Sequence, residues 1–408
     1  MFDRKNDVAK RPSKKPCHAS SKSCTSSVVS SPNVWADLLE CLLHQIIALL
    51  SSSNDIIAFA ATCRSWRAAF TSFPSTLSCN VPPLCLQSHI HYSHRGHSRI
   101  KYSLLYNCEW QLTDAVKRSS SCRLSPPHNH PNRMHYLGCS YGNLIFSNSN
   151  QCLLVDAFGF TTVRPPKLKS TGKHEIYYGI LDGSLKSPNS HLFLCSGSSI
   201  FQWQVGSNSW LEHPLDIPSI FRIVFFKGEM FARDQLDGLH TIRLAPQLSI
   251  HEVDIFWAEY WREDSVVGRA VMYWLVVCGD MFLMVDLSMS TDRPTVFFRV
   301  FRLDFSIVPP KWVKVENLGN HAIFVSFDQR NPAFCCTDPE RWGGKSNCIY
   351  VATQSKKNDK PWTVVELGQA VSSRNWRPVV YPDAYPYGNP GRPDNLWVFP
   401  SLVYDVGL

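Results

Sequence analysis

The sequence predicts a mainly β protein with a short helical start, and three observations carry that prediction. Aromatic residues make up 12% of the 408-residue chain and charged residues only 18%, a balance that suits strands built from Phe, Tyr, Trp and Val. Apolar residues recur at three- and four-residue steps only between Trp35 and Phe70. After Pro82-Pro83, apolar-aromatic runs of strand length alternate with clusters of Gly, Asn, Ser, Asp and Pro as far as the C-terminus.

Residues 1–31 are rich in Lys, Ser, Pro and Asn, bury little, and are expected to form a disordered arm. Its seven basic residues, Arg4, Lys5, Lys10, Arg11, Lys14, Lys15 and Lys22, face only Asp3 and Asp7, so five of the eight net positive charges fall before Ser23. The rest is nearly neutral, which argues against a nucleic-acid partner. Lys10-Arg11-Pro12-Ser13-Lys14-Lys15 resembles a nuclear-import patch, although a solvated basic tail fits the same residues. The Ser-rich stretch 20–31 leaves a transit peptide open, with Asp3, Asp7 and the shortage of Arg against it. The start lacks an apolar signal core, no Asn-X-Ser/Thr sequon occurs, and the longest apolar runs are too short to span a bilayer. The expectation is a soluble protein of the nucleus and/or cytoplasm, with no membrane partner. Its 15 cysteines are odd in number and irregularly spaced, and are expected to be reduced.

The second segment, residues 32–75, reads as three helices. Trp35, Leu38, Leu39, Leu42, Leu43, Ile46 and Leu50 make one wide apolar stripe. Ser31-Pro32 could cap a first helix that runs back through Trp35. Ser51-Ser52-Ser53-Asn54 ends that helix and leads into a second, Asp55 to Ala61, and a third, Cys63 to Phe70, carries Trp66 and Arg67. So small a unit buries little alone and leans on a partner or on its neighbour.

The third segment, residues 80–404, shows a degenerate repeat in which a small or polar residue leads into an apolar-aromatic pair. It appears as Gly142-Asn-Leu-Ile-Phe, Ser198-Ser-Ile-Phe, Gly228-Glu-Met-Phe, Gly279-Asp-Met-Phe, His321-Ala-Ile-Phe and Asn347-Cys-Ile-Tyr. Several units close on a Trp strand, at Trp210, Trp312 and Trp362. The last two lie 50 residues apart, the length of a four-stranded blade. A β-propeller of about six such blades is expected, since a ring hides sheet edges. A pair of sandwiches would satisfy the same strand pattern.

Trp35-Ala-Asp-Leu38-Leu39-Glu-Cys-Leu42-Leu43-His-Gln-Ile46, followed by Cys63-Arg-Ser-Trp66-Arg67, resembles an F-box, with Leu39 where that family usually has proline. Three later stretches are similar to the KIB-type β-propeller of plant F-box proteins: Gly138-Cys-Ser-Tyr-Gly-Asn-Leu, Phe225-Phe-Lys-Gly-Glu-Met-Phe-Ala, and Asn317-Leu-Gly-Asn-His-Ala-Ile-Phe with Asn347-Cys-Ile-Tyr. The resemblance implies a substrate receptor of a cullin–RING (SCF-type) ubiquitin ligase. The F-box would bind a Skp-type adaptor and, through it, a cullin; the propeller would hold an unknown protein substrate. The adaptor surface is expected to comprise Leu38, Leu39, Leu42, Leu43, Ile46, Ile56 and Ile57, with Trp66 and Arg67 holding the third helix. Several of these residues could instead fill the small domain's own core. With Leu39 in place of proline, adaptor binding is expected to be weaker than usual. A propeller scaffold acting outside any ligase is the alternative.

No enzyme chemistry outweighs this reading. Gly138-Cys-Ser140-Tyr-Gly142 has the spacing of a nucleophile elbow, but a strand and turn follow where a helix is required. His89, His91, His94 and His97, and later His128, His130 and His135, lack paired ligand arms for zinc. Cys335-Cys336 reads as a pair of buried thiols. Trp257-Ala-Glu-Tyr-Trp-Arg, with Glu263-Asp264, is either blade packing or a recognition loop. No catalytic residue, metal or cofactor is expected, and nothing identifies the substrate-binding residues.

Overall fold

The computed structural model describes residues 35, 38–50, 53–72, 82–90, 105, 108–116, 121–124, 126, 134–148, 150–157, 161–168, 176–216, 220–234, 238–244, 248–256, 270–289, 295–353, 361–372 and 395–399. Three helices come first: α1 (Glu40–Leu49), α2 (Ser53–Thr62) and α3 (Arg64–Ser72). α1 starts at Glu40 rather than running back through Trp35. Leu39 is its N-cap in an extended conformation (φ −58°, ψ 138°), and its carbonyl accepts from the Leu42 and Leu43 amides at 2.9 and 3.1 Å. A backward extension would gain backbone hydrogen bonds with little burial at this exposed end, and such turns are marginal in water. Ser31 and Pro32, expected to cap the longer helix, lie outside the described residues.

The helices share a small core of Leu43, Ile47, Ile56, Phe59, Ala60, Ala69 and Phe70. His44 Nε2 donates to the Ala69 carbonyl at 3.0 Å, joining α1 to α3. Arg67 Nε donates to the Ala60 carbonyl at 3.0 Å, joining α3 to α2.

The strands form six sheets, one per blade of a propeller. The first blade holds β1 (Leu84–Ile90), β2 (Cys108–Asp114) and β3 (Ser121–Leu124). The second holds β4 (His135–Ser140), β5 (Asn143–Ser147), β6 (Cys152–Asp156) and β7 (Thr162–Val163). The third holds β8 (Ile176–Leu181), β9 (His191–Ser196), β10 (Ser199–Gln204) and β11 (Leu211–Pro214). The fourth holds β12 (Phe221–Phe226), β13 (Glu229–Arg233), β14 (Leu239–Arg243) and β15 (Ser249–Glu252). The fifth holds β16 (Ala270–Cys278), β17 (Met281–Met289), β18 (Thr295–Asp304) and β19 (Lys311–Val315). The sixth holds β20 (His321–Ser326), β21 (Phe334–Thr337), β22 (Cys348–Ala352) and β23 (Trp362–Glu366). β24 (Ala370–Ser372) then adds to β18, and β25 (Leu396–Val398) adds to β1. The sandwich alternative is excluded.

Blades two to five are antiparallel meanders in chain order. Their hairpin turns explain the leading glycine of the repeat. Tyr141-Gly142 and Lys227-Gly228 both take positive φ (50° and 73°, 52° and 77°), the twist that a two-residue hairpin turn requires. The sixth blade departs from the rule: its order is β21-β20-β22-β23, with β20 and β22 parallel. Trp312 and Trp362 lie in the outermost strands of the fifth and sixth blades, and Trp210 immediately precedes that of the third.

Neighbouring blades meet through their inner strands, β4 on β8, β12 on β16 and β16 on β21. The approach is closest at Gly138, where an added Cβ would stand 2.2 Å from the Gly179 carbonyl oxygen. The ring closes through β25, which gives the first blade a strand from the far end of the chain. Asn331 seals this closure by bonding both the carbonyl and the amide of Trp397 at 3.0 Å. Arg330 donates to Asp328 at 2.8 and 2.6 Å and to the Tyr136 carbonyl at 2.9 Å, linking the sixth blade to the second. One expectation fails in this region: Cys278 and Cys335 are disulfide-bonded across the fifth and sixth blades, so they are not reduced thiols. Cys336, its neighbour, is buried and outside that disulfide.

Candidate functional site

α1 divides its apolar residues between two faces. Leu43 and Ile47, four residues apart, are buried at 2% and 0% exposure. Leu39, Leu42 and Leu49 are 68%, 41% and 84% exposed, and half-buried Ile46 lies between them. Steps of three, four and three residues align these four as a single ridge. Large aliphatic side chains aligned in this way present a surface that excludes water well only when another apolar surface covers it.

This division corrects the sequence-based assignment. Leu43 and Ile56 are buried at 2% exposure each, so neither side chain is open to a partner in this conformation. Leu38 is half-buried. Trp66 is half-buried against Phe59, with ring centroids 4.6 Å apart, and its amide donates to Cys63 Sγ at 3.5 Å. Arg67 pins α3 as described above. The side chain of Ile57 lies outside the described residues. Leu49 was missed because the stripe was traced from Ile46 to Leu50; the three-residue step from Ile46 leads to it.

In the propeller, the inner strands of the third, fourth and fifth blades and the loop before β21 line a half-open cleft that includes Tyr178, Arg222, Trp274, Gln329 and Asn331. The space open to water there is about 20 Å³, room for about one water molecule and too little for a cofactor. Arg222 sits at a bulge in β12 with φ 56°, and its guanidinium lies 4.4 Å from the Tyr273 ring. Arg233 approaches the same ring at 3.6 Å.

Three carboxylates, Asp286, Asp234 and Asp182, are engaged within their own blades. Asp286 accepts from Arg299 Nε at 3.0 Å and from Ser288 Oγ at 3.1 Å; burial pushes its carboxyl up against the opposing pull of Arg299. His240 bonds Asp234, and His191 bonds Asp182, each at 2.9 Å. Ser140 is the last residue of β4, enters a hairpin, and accepts from the Leu181 amide at 3.2 Å. The Gly138-x-Ser140-x-Gly142 spacing is therefore a strand and turn, not a nucleophile elbow. His135 is half-buried at the start of β4. The side chain of His89, all of His91, His94, His97, His128 and His130, residues 257–264 and the basic arm lie outside the described residues. No helix among the described residues is long and apolar enough to cross a membrane.

With this geometry in view, residues 107–381 match the KIB1-4 beta-propeller family. The chain belongs to the KIB1-4 beta-propeller family. Two curated relatives from Arabidopsis thaliana extend the match. F-box protein At2g26160 is 23% identical over 352 residues, covering 79% of this chain and 97% of the relative. Putative F-box protein At3g25750 is 24% identical over 356 residues, covering 82% and 91%. Among solved structures, the Cps50 (Swd1) β-propeller domain of Myceliophteria thermophila aligns over 60% of this chain and 89% of that one, at 12% identity and a TM-score of 0.32. A likeness that slight carries no part of the argument. Family membership thus rests on the KIB1-4 match.

Proposed function

We propose that this KIB1-4 family member is a substrate receptor of an SCF-type ubiquitin ligase, binding a Skp-type adaptor through its helices and a target protein through its propeller. The observation that carries the proposal is the exposed ridge of Leu39, Leu42, Ile46 and Leu49 on a helix whose adjoining apolar face is already buried. An amphipathic helix with a surplus apolar ridge is suited to docking against another helix. The F-box names of both relatives support the same assignment. On this reading the protein does no chemistry of its own. It raises the effective concentration of a bound target near the ligase. The nucleus and cytoplasm, where such ligases work, are its proposed locations.

Affinity purification of the tagged full-length chain from plant cells, followed by mass spectrometry, tests the proposal. Recovery of a Skp-type adaptor together with a cullin is the expected result. Recovery of other partners without them would favour a propeller scaffold acting outside any ligase.

A further inference from the structure

The cross-blade disulfide has a third member. Cys278 Sγ, Cys335 Sγ and a ring nitrogen of His321 all lie within 4.8 Å of one another. The strand register explains their convergence. Cys335 on β21 pairs with Ile323 on β20, so His321, two residues earlier, points to the same face. Cys278 ends β16, which packs against β21. His321 is also oriented: Nδ1 lies 2.9 Å from the Leu318 carbonyl, which can only accept. Nδ1 therefore carries the proton, and Nε2 keeps its lone pair free for a ligand, as in metal-binding histidines fixed by a backbone carbonyl. Cys278 is buried, while His321 and Cys335 are half-buried and open to solvent.

We infer that Cys278, Cys335 and His321 form a binding site for a thiophilic divalent cation of the zinc class, and that the disulfide is the oxidised, closed state of this site. Two thiolates and an imidazole without a carboxylate select borderline and soft metals over calcium or magnesium. Zinc bonds of about 2.3 Å to sulfur and 2.0 Å to nitrogen put tetrahedral ligand atoms about 3.5–3.8 Å apart. The two cysteine Cα atoms are 5.2 Å apart, so side-chain rotation carries the sulfurs from bonded contact to that separation. A dithiol or phosphine reductant supplies two electrons and takes up oxidation itself; with two protons, the S–S bond becomes two thiols. The cation then binds both sulfurs and releases their two protons, with water in the fourth position. Either state ties the fifth blade to the sixth, but only the reduced one holds metal. Sequence spacing hides the set, because the cysteines are 57 residues apart and no Cys-x-x-Cys arm marks them.

The test uses the full-length chain, reduced with a phosphine whose excess is removed, its thiols counted, and titrated with Co²⁺ as a spectroscopic substitute for zinc. The expected result is thiolate-to-cobalt charge-transfer absorption from one ion per chain, displaced by Zn²⁺ and absent from the oxidised protein. Cys335→Ser abolishes it. His321→Ala, which retains both thiols and the ability to form the disulfide, weakens binding at least about tenfold. No absorption from verified reduced protein would show the pair to be a cross-link only, and undiminished binding by His321→Ala would equally overturn the site. If Cys335→Ser does not fold, the His321→Ala comparison decides.

Discussion

Leu42 and Leu43 are neighbours in sequence with opposite roles, and apolar spacing alone cannot separate them. Both fit a helical stripe; only the folded structure shows that Leu43 faces inward and Leu42 outward. Truncation should tell them apart. Leu43→Ala or Ile56→Ala removes a buried side chain at a cost of about 2–5 kcal/mol and should lower hydrogen-exchange protection across α1–α3. Leu42→Ala should change that protection by no more than about 0.5 kcal/mol. The cysteines divide in a similar way. Burial pushes the Cys139, Cys152 and Cys195 thiols up to about 12, so almost no thiolate exists at neutral pH and none of the three is accessible. Cys41 is exposed on α1. Native-state alkylation read by peptide mass spectrometry should label Cys41 and leave those three unmodified until the protein is denatured.

At the scale of the element, legibility followed unbroken apolar composition. β5 and β22 are buried along their whole length, and most of β20 is too, so they read as continuous apolar runs and carry the clearest copies of the repeat. β2, with Glu109, Gln111, Thr113 and Asp114, and β4, with Gly138 and Ser140, give weaker apolar runs, although β4 is as buried as β20. The Trp strands were legible because an indole at a blade's outer strand has few substitutes of equal volume. Their contributions should nevertheless differ. Trp362 is fully buried against Trp397, with centroids 5.8 Å apart, and Trp362→Ala should destabilise the propeller by about 3–5 kcal/mol. Trp210 is half-buried and donates Nε1–H to the Pro166 carbonyl at 2.8 Å. Trp210→Ala should therefore cost less in the same denaturant titration.

At the scale of the whole molecule, blade length predicted a six-bladed ring, but nothing local indicated how it closes. Closure depends on β25 meeting β1 and on Asn331 meeting Trp397, contacts between distant parts of the chain that no periodicity encodes. The changed strand order of the sixth blade was illegible for the same reason. A chain ending after Ser372 keeps five complete blades yet lacks β25, exposing the edge of β1; by size-exclusion chromatography it should run as aggregate rather than as monomer. The ring has its proposed role only if the helices dock, and calorimetric titration of a purified Skp-type adaptor tests that directly. The wild-type chain should bind, and Leu42→Asp combined with Leu49→Asp should weaken binding at least about tenfold, or 1.4 kcal/mol, with α1 still helical by circular dichroism. Equal affinities for the two proteins, or no binding by the wild type, would contradict the account.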